Sequence, residues 1–249
     1  MGLVDSEGII LKTYSLAEAD KIVVLLTRTE GLVRGVAKGA KRLKSRFGGG
    51  LEPFSIINIS YFQKEERELV SISQIELVKS FFEAASNPKI LQKFSYLAEL
   101  LLEFAPPHDP NERLYRMAKA CLEAAAGVPE SLDIIGLYFE LWILKLGGYL
   151  PDWDKCEICK KQFGSASAGL GINFQLVCQQ CQLSRNNRVV TIEQRKLLAD
   201  AQKVSPAKFA EIGENQSENI REVSAILRRL ISNILGKNTV EEKFLTANL

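Results

Sequence analysis

Two hydrophobic periods divide the chain. Up to about residue 77 apolar residues come in short runs rich in Val, Ile, Leu and aromatics. The runs are Ser6–Thr13, Lys21–Thr27, Gly31–Ala37, Pro53–Phe62 and Leu69–Leu77. Turn-forming residues separate them at Ala19-Asp20, Glu30-Gly31 and Lys64-Glu65-Glu66-Arg67. This pattern predicts five strands, with Gly31 at a hairpin position that needs positive φ. In the fourth run both alternating sets carry apolar residues, Phe54, Ile56 and Phe62 on one side and Ile57, Ile59 and Tyr61 on the other. A small closed barrel with one strand partly covered accounts for that. Five strands in so short a span fit an OB-type barrel; an SH3-like barrel is the competitor on strand count.

After Val78–Ser86 (a short helix or linker) the period becomes helical. Asn87-Pro88 starts a helix whose face carries Ile90, Leu91, Phe94, Leu97, Ala98, Leu101 and Phe104. Asp109-Pro110 starts the next, with Leu114, Met117, Cys121 and Ala125 inward. A third, from about Pro129 to Leu146, is apolar over much of its circumference, as a central bundle helix should be. Thr191 and Gln194 form a capping-box pattern, Ser205-Pro206 starts a short helix, and a last helix after Ser217 stops at Gly236. The expected class is α+β: an N-terminal five-stranded OB-type barrel over 1–79, then a helical bundle over 80–249. Within the bundle lies an inserted four-cysteine zinc module at about 150–187.

That module is the most specific motif. Cys156 and Cys159, then Cys178 and Cys181, form two Cys-x-x-Cys knuckles separated by eighteen residues. Four soft thiolates suit one tetrahedral Zn²⁺ and leave no open position, so the site is structural rather than catalytic. The spacer reads as a hairpin-like or disordered loop rather than a long recognition helix. Cys121 is left as a small buried hydrophobe. Five cysteines used this way fit a reducing compartment, so a cytoplasmic location is expected, with no membrane span.

Charge then changes the picture. Residues 1–80 hold twelve Lys/Arg against ten Asp/Glu, and the remainder twenty against twenty. No acid occurs from Gly31 to Leu51, while Arg34, Lys38, Lys41, Arg42, Lys44 and Arg46 do. Cations on a glycine-rich, mobile loop of a small barrel suit a phosphodiester backbone. Phe47 amid them either stacks on a base or anchors the loop to the barrel. Arg221, Arg228 and Arg229 in the last helix read as a solvated face. His108 is the only histidine, and no nucleophile-base pattern, Walker motif or dinucleotide fingerprint accompanies it. A binding factor rather than an enzyme is expected.

Specific stretches resemble the bacterial RecO DNA-repair family. They are Glu7–Leu11 with Tyr14, Glu18, Asp20 and Lys21; Gly31-Leu32 and Val36–Arg42; Ser45–Gly48 and Leu51–Phe54. Leu146–Pro151 before the cysteines and the close Leu235-Gly236 with Phe244-Leu245 extend the resemblance over the full length. It implies an OB-fold with a helical domain and binding to single- and double-stranded DNA. It also implies annealing of complementary strands and help in loading recombinase onto DNA coated by single-stranded-DNA-binding protein (SSB). The implied partners are RecR and the acidic, hydrophobic SSB tail. Thr239, Val240, Glu241, Glu242 and Lys243 depart from the basic segment expected near the C-terminus. The alternative function is an RNA- or ribosome-associated barrel and zinc-knuckle protein.

Overall fold

The computed structural model describes residues 2–63, 68–182 and 188–237. The Lys64–Arg67 turn and the segments around Thr239–Lys243 and Phe244-Leu245 lie outside them. The chain forms two compact units, one ending at Pro129 and one beginning at Glu130.

The first unit opens with five strands: β1 (Gly2–Leu16), β2 (Asp20–Thr27), β3 (Gly31–Ala37), β4 (Ile56–Gln63) and β5 (Leu69–Lys79). They close in the order β1-β2-β3-β5-β4, with β1 hydrogen-bonded to both β2 and β4 and with β3 and β5 parallel. This is the Greek-key order of an OB-type barrel. The strand β1 serves two neighbours because it bends at a bulge between Ile10 and Lys12. Its first half faces β4 and its second half faces β2.

The alternation of β4 resolves cleanly. Ile57, Ile59 and Tyr61 point into the barrel with Ile10, Val23, Leu25 and Val70, while Asn58 and Phe62 face out. Gly35 is dictated by this interior: a Cβ there would meet Ile72 and Val70 side-chain carbons at 2.8 and 2.9 Å. Gly31 has φ +65°, and a Cβ there would stand 2.2 Å from the carbonyl oxygen of Asp109. The β2–β3 hairpin therefore needs glycine for both its turn and its close neighbour.

Among the described residues of this unit, three α-helices follow: α1 (Phe82–Ala85), α2 (Pro88–Phe104) and α3 (Glu112–Gly127). Asn87 caps α2 by accepting from the N–H of Lys89. The start of α3 differs from the sequence expectation: its cap is Asn111, not Asp109, because the Asn111 side chain accepts from the N–H of Leu114. Phe94 of α2 meets Phe54 and Phe81 at centroid distances of 5.2 and 5.8 Å. Across the barrel wall, Glu7 of β1 accepts from Tyr115 and Lys119 of α3 at 2.7 and 2.9 Å. Cys121 is fully buried, and burial pushes its thiol pKa well above the ordinary value, as suits an inert core residue.

In the second unit α4 (Leu132–Leu146) is the central helix, packed against α5 (Ile192–Ala201), α6 (Pro206–Gly213) and α7 (Ser217–Leu235). Tyr138 and Trp142 of α4 donate to the carbonyls of Val204 and Ala201. The capping box forms, with Thr191 and Gln194 bonded reciprocally at the start of α5. Gly236 ends α7 in the left-handed conformation at φ 64°. Between α4 and α5 lies a three-stranded sheet of β6 (Ala168–Leu170), β7 (Leu176–Val177) and β8 (Val189–Val190). The spacer between the cysteine pairs is thus a hairpin.

Candidate nucleic-acid interface and metal centre

The cationic segment runs from the end of β3 to the start of β4. Successive turns and anchors shape it. Backbone bonds join Arg42 to Gly39, Ser45 to Arg42 and Gly50 to Phe47 at 3.0–3.1 Å. The N–H groups of Gly39 and Lys41 donate to Asp20 Oδ1 and the Ala19 carbonyl at 2.7 and 2.9 Å, which fastens the segment to the β1–β2 turn.

Phe47 and Leu51, 3% and 2% exposed, belong to the barrel core. Phe47 therefore anchors the segment, and its ring is withdrawn from any stacking contact with a base. This corrects its expected place among the DNA-contacting residues. The physical reason is area: burying an aromatic ring in the barrel releases more free energy than leaving it in water.

Arg34, Lys38, Lys41, Arg42, Lys44 and Arg46 are all exposed. Among the described residues none of these six forms an ion pair. Lys41 Nζ bonds the Ala17 carbonyl at 3.2 Å, and Arg46 bonds the Ile72 carbonyl at 3.3 Å while lying 4.9 Å over the Phe47 ring. Their charges stay directed to solvent and unneutralised by carboxylates, as a polyanion-binding surface requires. The sequence reading missed Leu43, which is 102% exposed between Arg42 and Lys44. The signal was its position between cations, with no apolar partner at helical or strand spacing. Tyr14 on β1 is an exposed aromatic of the barrel, with Lys12 Nζ 5.0 Å from its ring.

The four cysteines converge. The Sγ atoms of Cys156, Cys159, Cys178 and Cys181 all lie within 4.8 Å of one another. Cys159 and Cys178 are 3.8 Å apart, far beyond a disulfide bond. A tetrahedron of thiolates at about 2.3 Å from a metal has edges of about 3.8 Å, so the donor set fits such an ion.

The knuckles are shaped by the backbone. Lys160 takes φ 61° just after Cys159, and its N–H bonds the Cys156 carbonyl at 2.9 Å. The N–H of Cys178 donates to Cys156 Sγ at 3.3 Å. Burial opposes ionisation of Cys156, but N–H groups of Cys159, Cys178 and Ile158 outweigh it and lower its pKa to about 6. Cys181 is pushed up to about 12 by its hydrogen bonds to Cys178 and Cys159. Without a cation, thiolates at this range repel one another; a divalent metal removes that penalty.

The surroundings hold the module in place. Arg195 of α5, 7% exposed, donates to the carbonyls of Gly164 and Ala166 at 2.9 and 2.6 Å and lies over Phe163. Trp153 donates to the carbonyl of Phe174 at the hairpin tip. Arg228 is not part of a solvated face, as the sequence suggested: it pairs with the fully buried Glu140 of α4 at 2.7 Å. A charged residue on the apolar α4 was the available signal, and Arg228 one turn after Ser224 supplied its partners.

The description "Recombination protein O N terminal" matches residues 1–81, and "Recombination protein O C terminal" matches residues 93–242. The chain belongs to the RecO family. It is similar to the DNA repair protein RecO of Koribacter versatilis, 30% identical over 99% of this chain and 98% of that protein. It is also similar to the DNA repair protein RecO of Caldanaerobacter subterraneus subsp. tengcongensis, 33% identical over 73% of this chain and 72% of that protein. For that of Thermoanaerobacter sp., identity is 36% over 65% and 64%. Family membership accounts for both halves of the chain, the barrel and the helices beyond it. Among the described residues no helix is long and apolar enough to cross a membrane.

Proposed function

We propose that this chain is a DNA-binding mediator of recombinational repair. It neutralises two complementary strands at once so that their bases can pair, and it helps load recombinase onto SSB-coated DNA together with RecR. The supporting observation is the set of six exposed cations, Arg34 on β3 and five on the segment that follows it, none ion-paired among the described residues. Annealing of this kind asks for no covalent chemistry. Each phosphate neutralised releases counterions, so affinity falls with salt. The family match favours DNA over the RNA- or ribosome-associated alternative.

Cys156, Cys159, Cys178 and Cys181 would hold one structural Zn²⁺, whose role is to fix the module between α4 and α5. Zinc supplies charge neutralisation and a cross-link there. RecR and the SSB tail as partners, and the nucleoid as the working place, follow from the same reading.

The deciding experiment is annealing of complementary strands coated with SSB, with and without the protein. Acceleration by the wild type, lost when Lys41, Arg42, Lys44 and Arg46 are changed to Ala, supports the reading. Unchanged annealing by that variant at physiological salt refutes it.

A further inference from the structure

A row of outward side chains crosses the strands beside the cationic segment. Val23 of β2 and Ala37 of β3 point into the barrel, so their neighbours Ile22 and Val36 point out. These two are cross-strand partners, and Ile22 is also the partner of Tyr14 on β1. Residues directly opposite one another share a face, so Tyr14, Ile22 and Val36 form one apolar band over three strands. Ile22 and Val36 are half-buried, and Tyr14 is 45% exposed.

Cations border the band. On one side lie Lys12 of β1 and Arg34 of β3, both exposed and both partners of Val24 on β2. On the other, Lys38 follows β3, and Lys41 donates to the Ala17 carbonyl in the turn between β1 and β2. Among the described residues no carboxylate pairs with Lys12, Arg34, Lys38 or Lys41. The acids of that turn are Glu18, which is exposed, and Asp20, which accepts from the Gly39 N–H. The remaining outward sector, on β4, β5 and the first half of β1, holds Phe62 but presents Asp5 and Glu76 beside Ser60 and Asn58. A phosphodiester is therefore drawn to the band of Tyr14 and not to the sector of Phe62.

Cations alone do not tell a single strand from a duplex. An exposed ring does, because a base offers its face for stacking only when it is unpaired and unstacked. Lys12 Nζ lies 5.0 Å over the Tyr14 ring, which leaves the opposite face for a base. We propose that Tyr14 stacks on an unpaired base of single-stranded DNA laid across the band, with Lys12, Arg34 and Lys38 on its phosphates. This rests on the DNA-binding reading above and adds a division of labour to it. The cationic segment holds any strand, and Tyr14 makes the barrel prefer an unpaired one. Stacking thus falls to Tyr14, while Phe47 stays sealed in the core.

The probes are a fluorescein-labelled thymidine strand of about sixteen nucleotides, the upper site size of one OB barrel, its duplex with the adenine strand, and a strand of equal length made of abasic sites. The last keeps the phosphates and removes the bases. Fluorescence anisotropy with the full chain should show Tyr14→Ala weakening the thymidine strand by ~10-fold or more. Duplex and abasic strand should bind Tyr14→Ala as they bind wild type, and the salt slope should not change, because no charge is removed. Tyr14→Phe keeps the ring and should bind the thymidine strand like wild type. Tyr14→Leu, which keeps apolar area without the ring, replaces Tyr14→Ala if that variant melts early. Unchanged affinity of the ringless variant for the thymidine strand, or an equal loss on all three probes, overturns the proposal and leaves the reading of the cationic segment standing. Tighter binding of the matching uridine strand, lost with the ring, overturns DNA as the occupant. A wild type that binds none of the probes overturns the DNA-binding reading and this inference with it.

Discussion

Arg228 donates to Glu140 at 2.7 Å, and Ser224 donates to the other oxygen of the same carboxylate, which has no exposure to solvent. The pair joins α7 to the middle of α4. Arg228→Ala strands a buried charge and is expected to cost about 3–5 kcal/mol in urea unfolding. Arg229→Ala, one position on and exposed, is expected to stay within about 0.5 kcal/mol. If the two variants unfold alike, Arg228 has no structural role.

Phe47 and Leu43 should separate in the same way. Phe47→Ala removes a ring from the barrel core and is expected to cost about 3–5 kcal/mol. Leu43→Ala touches a fully exposed side chain and should leave stability within about 0.5 kcal/mol. Denaturant midpoints of the two variants read this directly.

The cationic segment makes a quantitative statement about salt. Removing Lys41, Arg42, Lys44 and Arg46 deletes up to four phosphate contacts, and each is worth about 0.7 in the slope of log affinity against log salt on single strands. The slope should therefore shrink by up to ~3 for the quadruple alanine variant. A titration series across salt concentrations measures it; an unchanged slope places the phosphate contacts elsewhere.

Glu7 supplies a pH dependence. Burial would raise its pKa, but hydrogen bonds from Lys119 and Tyr115 and the Lys119 charge outweigh it and hold the carboxyl below its ordinary 4.5. A depressed folded pKa stabilises the protein above the unfolded value, and that contribution is lost as pH falls through the folded one. Glu7→Gln should therefore be destabilising at pH 7, with the difference from wild type closing progressively below pH 4.5. Parallel unfolding curves at neutral and acid pH check this, and a gap that persists at low pH would exclude the ionised carboxylate as its source.

Metal removal has a local reporter. Trp153 bonds the carbonyl of Phe174 at the hairpin tip inside the cysteine module. The purified protein is expected to carry one zinc per chain, and Cys156→Ser to carry none. Chelation should change Trp153 fluorescence, measured in a Trp142→Phe background. It should leave binding to DNA through the barrel largely intact. Loss of DNA binding with the fold unchanged would mean the module itself touches DNA.

The elements with local causes were legible in the sequence. Asn87-Pro88, the Thr191–Gln194 box and the Gly31 turn each announce themselves within four residues. The cysteine spacing likewise carried its own geometry. What escaped depends on contacts between distant residues. Phe47 and Leu43 are both apolar and both set among cations, and only barrel closure decides that one turns in and the other out. Arg228 looks like a surface cation until α7 lies beside Glu140. Leu91 shares a helical face with Ile90 on paper, yet the fold buries one and leaves the other 44% exposed.

Barrel closure also orders events in time. Gly2 pairs with Gln63, and Arg34 pairs with Leu69, so the first strand waits for the fourth and the third for the fifth. A chain emerging from the ribosome carries β1–β3 as a meander with open edges until β5 is free. The cationic segment gains its core anchor, Phe47, only in the finished barrel. A nascent chain shorter than β5 therefore presents the charges of the nucleic-acid surface without the surface itself.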